Sequence, residues 1–253
     1  MIIRKIKYNF NIVKSILNTD KFKAVYVICV LAAIFNSYNI DTNNTYLESN
    51  LGVIYTTMYQ LFLMIVLFIG SLQTTSNYNK LGQNILRFKN KKEYLKNLSS
   101  TISIVNFVIF VCYILLTTIF VTIRYFGNVS LIGQLPNHIP YLIYIIYSFV
   151  KVFLILNILV LISSVVYICF GKKAGIILIT GITIFKDLVT YNSKIIKSYK
   201  DFNAFYGFFL FPYQYSNFML ELSMFFLELI ILISLYLIID KICQNKFKIE
   251  IED

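Results

Sequence analysis

The sequence predicts an all-α polytopic membrane protein with six transmembrane helices, a reading that rests on three observations. Apolar residues make up 58% of the 253 residues and charged residues only 14%, with a mean hydropathy of +0.72. A soluble domain carries about a quarter charged residues, and a chain this short could not hide so much apolar surface in its own core. Second, the apolar residues fall into runs of about twenty, the length needed to cross the hydrocarbon layer. Third, most of the Lys and Arg gather between those runs. The net charge of +11 therefore reads as membrane topology and not as a nucleic-acid groove.

The whole chain, 1–253, reads as a single transmembrane domain. Residues 1–20 form its first element. Ile2, Ile3, Ile6, Phe10, Val13 and Leu17 recur at spacings of three and four, with lysines and asparagines opposite. Arg4, Lys5, Lys7 and Lys14 break up the apolar run that a signal peptide needs. The pattern predicts an amphipathic helix lying on the membrane surface, apolar side down; a solvated leader to the first span is the alternative.

The spans follow at about 22–40, 51–72, 101–123, 152–170, 174–190 and 217–239. The first stops at Asp41–Asn44, the third at Arg124, the fourth at Gly171-Lys172-Lys173 and the sixth at Asp240-Lys241. The fifth meets Lys186-Asp187 after twelve residues and is short. Residues 139–150 are an apolar preface to the fourth span: either that helix is very long and tilted, or a separate helix lies at the interface. Residues 202–218 are aromatic, too short to span, and broken by Gly207 and Pro212. They read as a re-entrant hairpin or an interfacial helix, since irregular backbone at membrane depth must be covered by protein or line a cavity.

Charge sets the orientation. With the N-terminus inside, the inner segments hold 17 of the 23 Lys and Arg and the outer segments four. Both termini are thereby expected in the cytoplasm.

Catalytic motifs are missing. The single histidine, His138, lies between Pro136 and Pro140, which excludes HExxH and any site with two imidazoles. A P-loop fails as well: Gly171-Lys172 is followed by Lys173, and position 166 is Val. Cys29, Cys112, Cys169 and Cys243 are far apart in sequence and give neither a disulfide framework nor a metal site. No catalytic or metal-binding residue is expected.

Ionisable residues at membrane depth are the polar candidates: Lys151, Lys186, Asp187, Glu221 and Glu228. Charge there is costly and marks function or pairing. Glu228, eleven residues into the last span, is expected to face protein and to pair with Lys151 or Lys186. The aromatics Tyr206, Phe208, Phe209, Phe211 and Tyr213 are candidates for an outer gate, with interfacial anchoring as the plainer role.

The cytoplasmic loop, 73–100, is long enough for its own helix. Leu81, Ile85, Phe88 and Leu95 share one face, with basic residues around them. Such a helix can lie on anionic lipid or dock a partner.

At this point the layout resembles the permease subunits of bacterial ABC-2-type exporters. Those have an N-terminal interfacial helix, six spans, a cytoplasmic coupling helix between spans two and three, and a re-entrant element between spans five and six. The stretch from Asn84 to Leu95 is similar to the one leading into span three of small permeases that serve bacteriocin and peptide transporters. The resemblance implies a bacterial cell-membrane location and contact of Asn84, Arg87, Phe88, Lys91, Lys92, Glu93 and Tyr94 with separate ATPase subunits. It further implies a second permease subunit, identical or not, and ATP with Mg on the ATPase partner alone. The cargo implied is hydrophobic or amphipathic. Two other readings stand beside it: an ion-coupled secondary transporter, and a non-transporting immunity or assembly protein.

Overall fold

The computed structural model describes residues 11–38, 57–80, 91–124, 141–182, 184 and 218–246, and these are helical with no strand among them. A helix α1, described over 11–17, leads into α2 (Asp20–Tyr38). Then come α3 (Thr57–Lys80), α4 (Lys91–Arg124), α5 (Tyr141–Phe170), α6 (described over 172–182) and α7 (Phe218–Lys246).

Local chemistry sets several of the boundaries. The Thr19 carbonyl accepts the N–H groups of Phe22 and Lys23, opening α2, while its hydroxyl donates back to the Ile16 carbonyl at 2.8 Å and closes α1. Asp20, in the first turn of α2, sits at the positive end of the helix dipole and accepts from Lys23 at 2.6 Å. Glu93 opens α4 and Arg124 closes it, each with the charge its end favours. Beyond α5 the chain enters a left-handed conformation at Gly171 (φ 89°), whose N–H bonds the Tyr167 carbonyl at 3.0 Å. A glycine there ends the helix without steric cost.

Three helical stretches are long and apolar enough to cross a membrane: Asp20–Tyr38, Lys92–Arg124 and Ile143–Phe170; Phe62–Tyr78 is a shorter apolar stretch. The distribution of side chains points the same way. Leu31 and Phe35 of α2, Leu115 and Ile123 of α4, Ile146 of α5 and Ile230 and Leu237 of α7 face outward. Buried within are Ser71, Thr74, Thr101, Asn106, Lys151, Ser164 and Glu228. A bundle with apolar residues outside and polar residues between its helices is what a lipid solvent selects, because lipid tails reward neither apolar burial nor polar exposure. These observations indicate a membrane protein.

Inter-helix contacts give the topology. Asn77–Thr19 and the ring pair Phe62–Phe35 run α3 antiparallel to α2. Cys29–Ile109 and Ser37–Thr117 run α4 parallel to α2. Tyr78–Tyr94 and the approach of Gly70 to Ile109 run α4 antiparallel to α3. Phe110–Phe153 and Asn106–Asn157 run α5 antiparallel to α4, and Tyr147–Phe225 with Cys243–Val165 run α7 parallel to α5. One end of the bundle therefore collects Lys21, Lys23, Lys80, Lys92, Lys172 and Lys241, while the other carries Arg124.

Two sequence expectations take definite form. The apolar preface and the fourth span are one continuous helix of 30 residues, running through Lys151 without a break. At 1.5 Å per residue it is about 45 Å long, more than the hydrocarbon thickness, so it must tilt or project. The amphipathic N-terminal stretch is helical over 11–17, and Ile12, Val13 and Ile16 are buried in the bundle's own core. Its apolar face is covered there by protein. The other expected pieces, residues 1–10, the later part of the fifth span and the aromatic stretch at 202–217, lie outside the described residues.

At the end opposite the lysines, Arg124 donates to the Ser37 carbonyl at 2.9 Å and to the Tyr38 carbonyl, and its guanidinium lies over the Tyr38 ring at 5.5 Å. It thus places a cation and its donors on two carbonyls in the last turn of α2, the end that the helix dipole makes negative. Arg124→Gln is expected to lower stability by about 1 kcal/mol, and Lys at this position to recover only part of it. Thermal unfolding in detergent, followed by size-exclusion chromatography, measures both.

Candidate functional site

Two regions of the bundle hold polar chemistry. The first is a seam of interior polar groups. Ser71 of α3 and Ser164 of α5 share a hydrogen bond of 2.7 Å between their hydroxyls. Asn106 of α4 donates to Asn157 of α5 at 2.9 Å, and Asn157 donates in turn to Ser103 at 3.2 Å. Asn36 of α2 donates to the Tyr113 hydroxyl at 2.5 Å, and Tyr236 of α7 donates to Ser99 of α4 at 3.1 Å. Hydrogen bonds of this kind select which faces meet when lipid supplies no apolar driving force. Small residues let the helices approach: a Cβ at Gly70 would lie 2.5 Å from the Ile109 side chain.

Within the seam sits a charged layer between α5 and α7. Lys151 is 1% exposed and Glu228 2%. The Lys151 ammonium lies 5.8 Å from the centre of the Tyr147 ring, and Tyr147 packs edge-on against Phe225. Tyr144 and Ser148 are buried on the same stretch of α5. The layer is a place where charge is held inside an apolar bundle, and it is made by two helices distant in sequence.

The second region is the basic end. Here α3 and α4 extend past their apolar stretches to Lys80 and Lys91, bracketing residues 81–90. Tyr78 and Tyr94 are buried and their rings pack 5.7 Å apart. Asn77 donates to Thr19 at 3.3 Å, tying the same level to the start of α2. The base of this helical hairpin is thus fixed to the bundle on two sides.

Of the candidates from the loop, Lys92 is exposed at the start of α4, Glu93 is half-buried, and Tyr94 is 4% exposed. Lys91 is the first residue of α4, and Asn84, Arg87 and Phe88 lie outside the described residues. Of the intramembrane candidates, Lys151 and Glu228 are brought to one interface, Glu221 lies on the first turn of α7, and Lys186 and Asp187 are outside the described residues. The gate aromatics Tyr206, Phe208, Phe209, Phe211 and Tyr213 are outside as well. No group of metal-ligating residues occurs among the described residues.

Reading the sequence for charges missed the Asn106–Asn157–Ser103 chain. The signal was available, since each asparagine stands alone within an otherwise apolar run. A polar amide in such a run needs a partner on another helix.

Comparison with family models, with curated proteins and with solved structures finds no match to this chain.

Proposed function

We propose that the chain is the permease subunit of an ATP-driven exporter in a bacterial cell membrane, with six spans and both termini in the cytoplasm. It pairs with a second permease subunit and couples to separate cytoplasmic ATPase subunits. The observation that supports this reading best is the clamped hairpin of α3 and α4. A basic tip carried on two long helices, braced at Tyr78 and Tyr94, can pass a push at the tip directly into the bundle. In this reading Arg87 and Lys92 touch the ATPase, while Tyr94 acts through bracing because it is buried. The cargo that suits a path between two such subunits is hydrophobic or amphipathic, such as an antimicrobial or toxin peptide.

Isolation of the tagged chain from its native membrane in mild detergent tests the reading. The expected result is a retained soluble subunit carrying GxxxxGK[ST], whose ATPase activity falls at least about tenfold on Arg87→Glu while the permease elutes unchanged, as loss of a charged docking contact requires. A chain that purifies without any ATPase, and that supports no ATP-dependent uptake in proteoliposomes, overturns it.

The buried Lys151 and Glu228 favour a second reading, an ion-coupled transporter. It predicts gradient-driven uptake that Glu228→Gln abolishes and that needs no nucleotide.

A further inference from the structure

The C-terminal helix α7 meets the described bundle along α5, with a lesser contact to α4. Much of the rest of its surface is apolar and outward-facing, including Phe226, Leu227, Ile230, Ile231, Leu237 and Ile238. In lipid that surface gives α7 no reason to prefer protein to acyl chains, so its position depends on what lies in the interface itself.

Two contacts define the register of that interface. Tyr147 packs on Phe225, and the Cys243 thiol points at the Val165 carbonyl at 3.9 Å. Both pairs have the same sequence offset of 78 residues, so the helices run parallel and stay level over this length. Lys151 lies one turn beyond Tyr147, and Glu228 three residues beyond Phe225. The two charges therefore occupy the same layer, and they are the two buried charged residues among the described ones.

We propose that Lys151 and Glu228 compensate one another electrostatically and so hold α7 on α5 in a single register. A one-turn slip of α7 or its lateral departure would leave each charge buried or lipid-facing without its counterpart, which lipid penalises heavily. The inference is independent of the transport reading, because it concerns only how α7 is attached.

A native reporter lies further along the same interface. Cys243 of α7 points at the Val165 carbonyl of α5, and Cys169 lies one turn beyond Val165 on the same helix. Membranes holding the protein are oxidised with copper–phenanthroline, and the Cys169–Cys243 peptide pair is quantified by mass spectrometry, with Cys169→Ser as the blank. The native chain is expected to crosslink. Lys151→Met and Glu228→Gln are each expected to lower the yield at least about fivefold, and the exchange Lys151→Glu with Glu228→Lys to restore it to within about twofold.

Thermal unfolding of the same variants in detergent provides a second readout with the same expected order. Single variants that behave like the native chain overturn the proposal, and so does an exchange no better than the singles. If the singles fail to accumulate, accumulation of the exchanged chain supports the proposal and its failure overturns it.

Discussion

Gly175→Ala is expected to destabilise the protein by about 3 kcal/mol, the upper end of what one added methyl group costs in a packed site. A Cβ at this position would lie 2.5 Å from Tyr167 Cβ, 2.9 Å from Tyr167 Cα and 3.0 Å from the Ser163 carbonyl oxygen. Two of those atoms belong to the backbone of α5 and cannot swing aside, so α6 must lift away from it. Gly171→Ala provides the contrast. Nothing lies within 4 Å of the added methyl there, and the cost is the left-handed φ of 89° alone, about 1 kcal/mol. Gly181→Ala, also in open space, is the neutral-to-favourable control. Thermal unfolding in detergent gives the ranking, and proteolysis at the exposed Lys172 and Lys173 reports whether α6 has lifted. A larger loss at Gly171 than at Gly175 would show that the packing of α6 on α5 is wrong.

Asn157→Leu is expected to cost about 2 kcal/mol, within the range for stranding a buried hydrogen-bonding group. The substitution removes the acceptor of Asn106 and the donor to Ser103, yet keeps the volume of the side chain close to native. Removing both amides, with Asn106→Leu added, is expected to cost less than the sum of the two single changes, because no amide is then left stranded. A double-mutant cycle on unfolding midpoints measures the coupling. Strict additivity would mean that the two amides do not depend on each other.

Particular residues show how much of this was legible beforehand. The continuity of α5 was legible only as one of two alternatives. The apolar run before Lys151 and the run after it are each plausible alone, and a lysine between them reads as a boundary. The lysine's ammonium lies beside the Tyr147 ring, and under the pairing proposed above its counter-charge is Glu228 of α7. That compensation arises from a helix nearly eighty residues away. The N-terminal stretch illustrates the complementary case. Its three-and-four spacing marks an apolar face correctly, as the burial of Val13 shows, but spacing carries no information about what covers that face. Here α1 lays Ile12, Val13 and Ile16 on protein.

Composition and patterning by themselves pointed to long apolar helices, as the described residues form, with most of the basic residues between the apolar runs. Those properties follow from local physics: a backbone in lipid must bond within its own segment, and charge is cheap only where water reaches it. Tertiary structure alone decided which polar side chains meet. Asn106 with Asn157 and Ser71 with Ser164 are pairings between helices 51 and 93 residues apart in the chain. In lipid every apolar face is nearly equivalent, so helix partners are selected by a few polar groups and by the close fit of small residues such as Gly70.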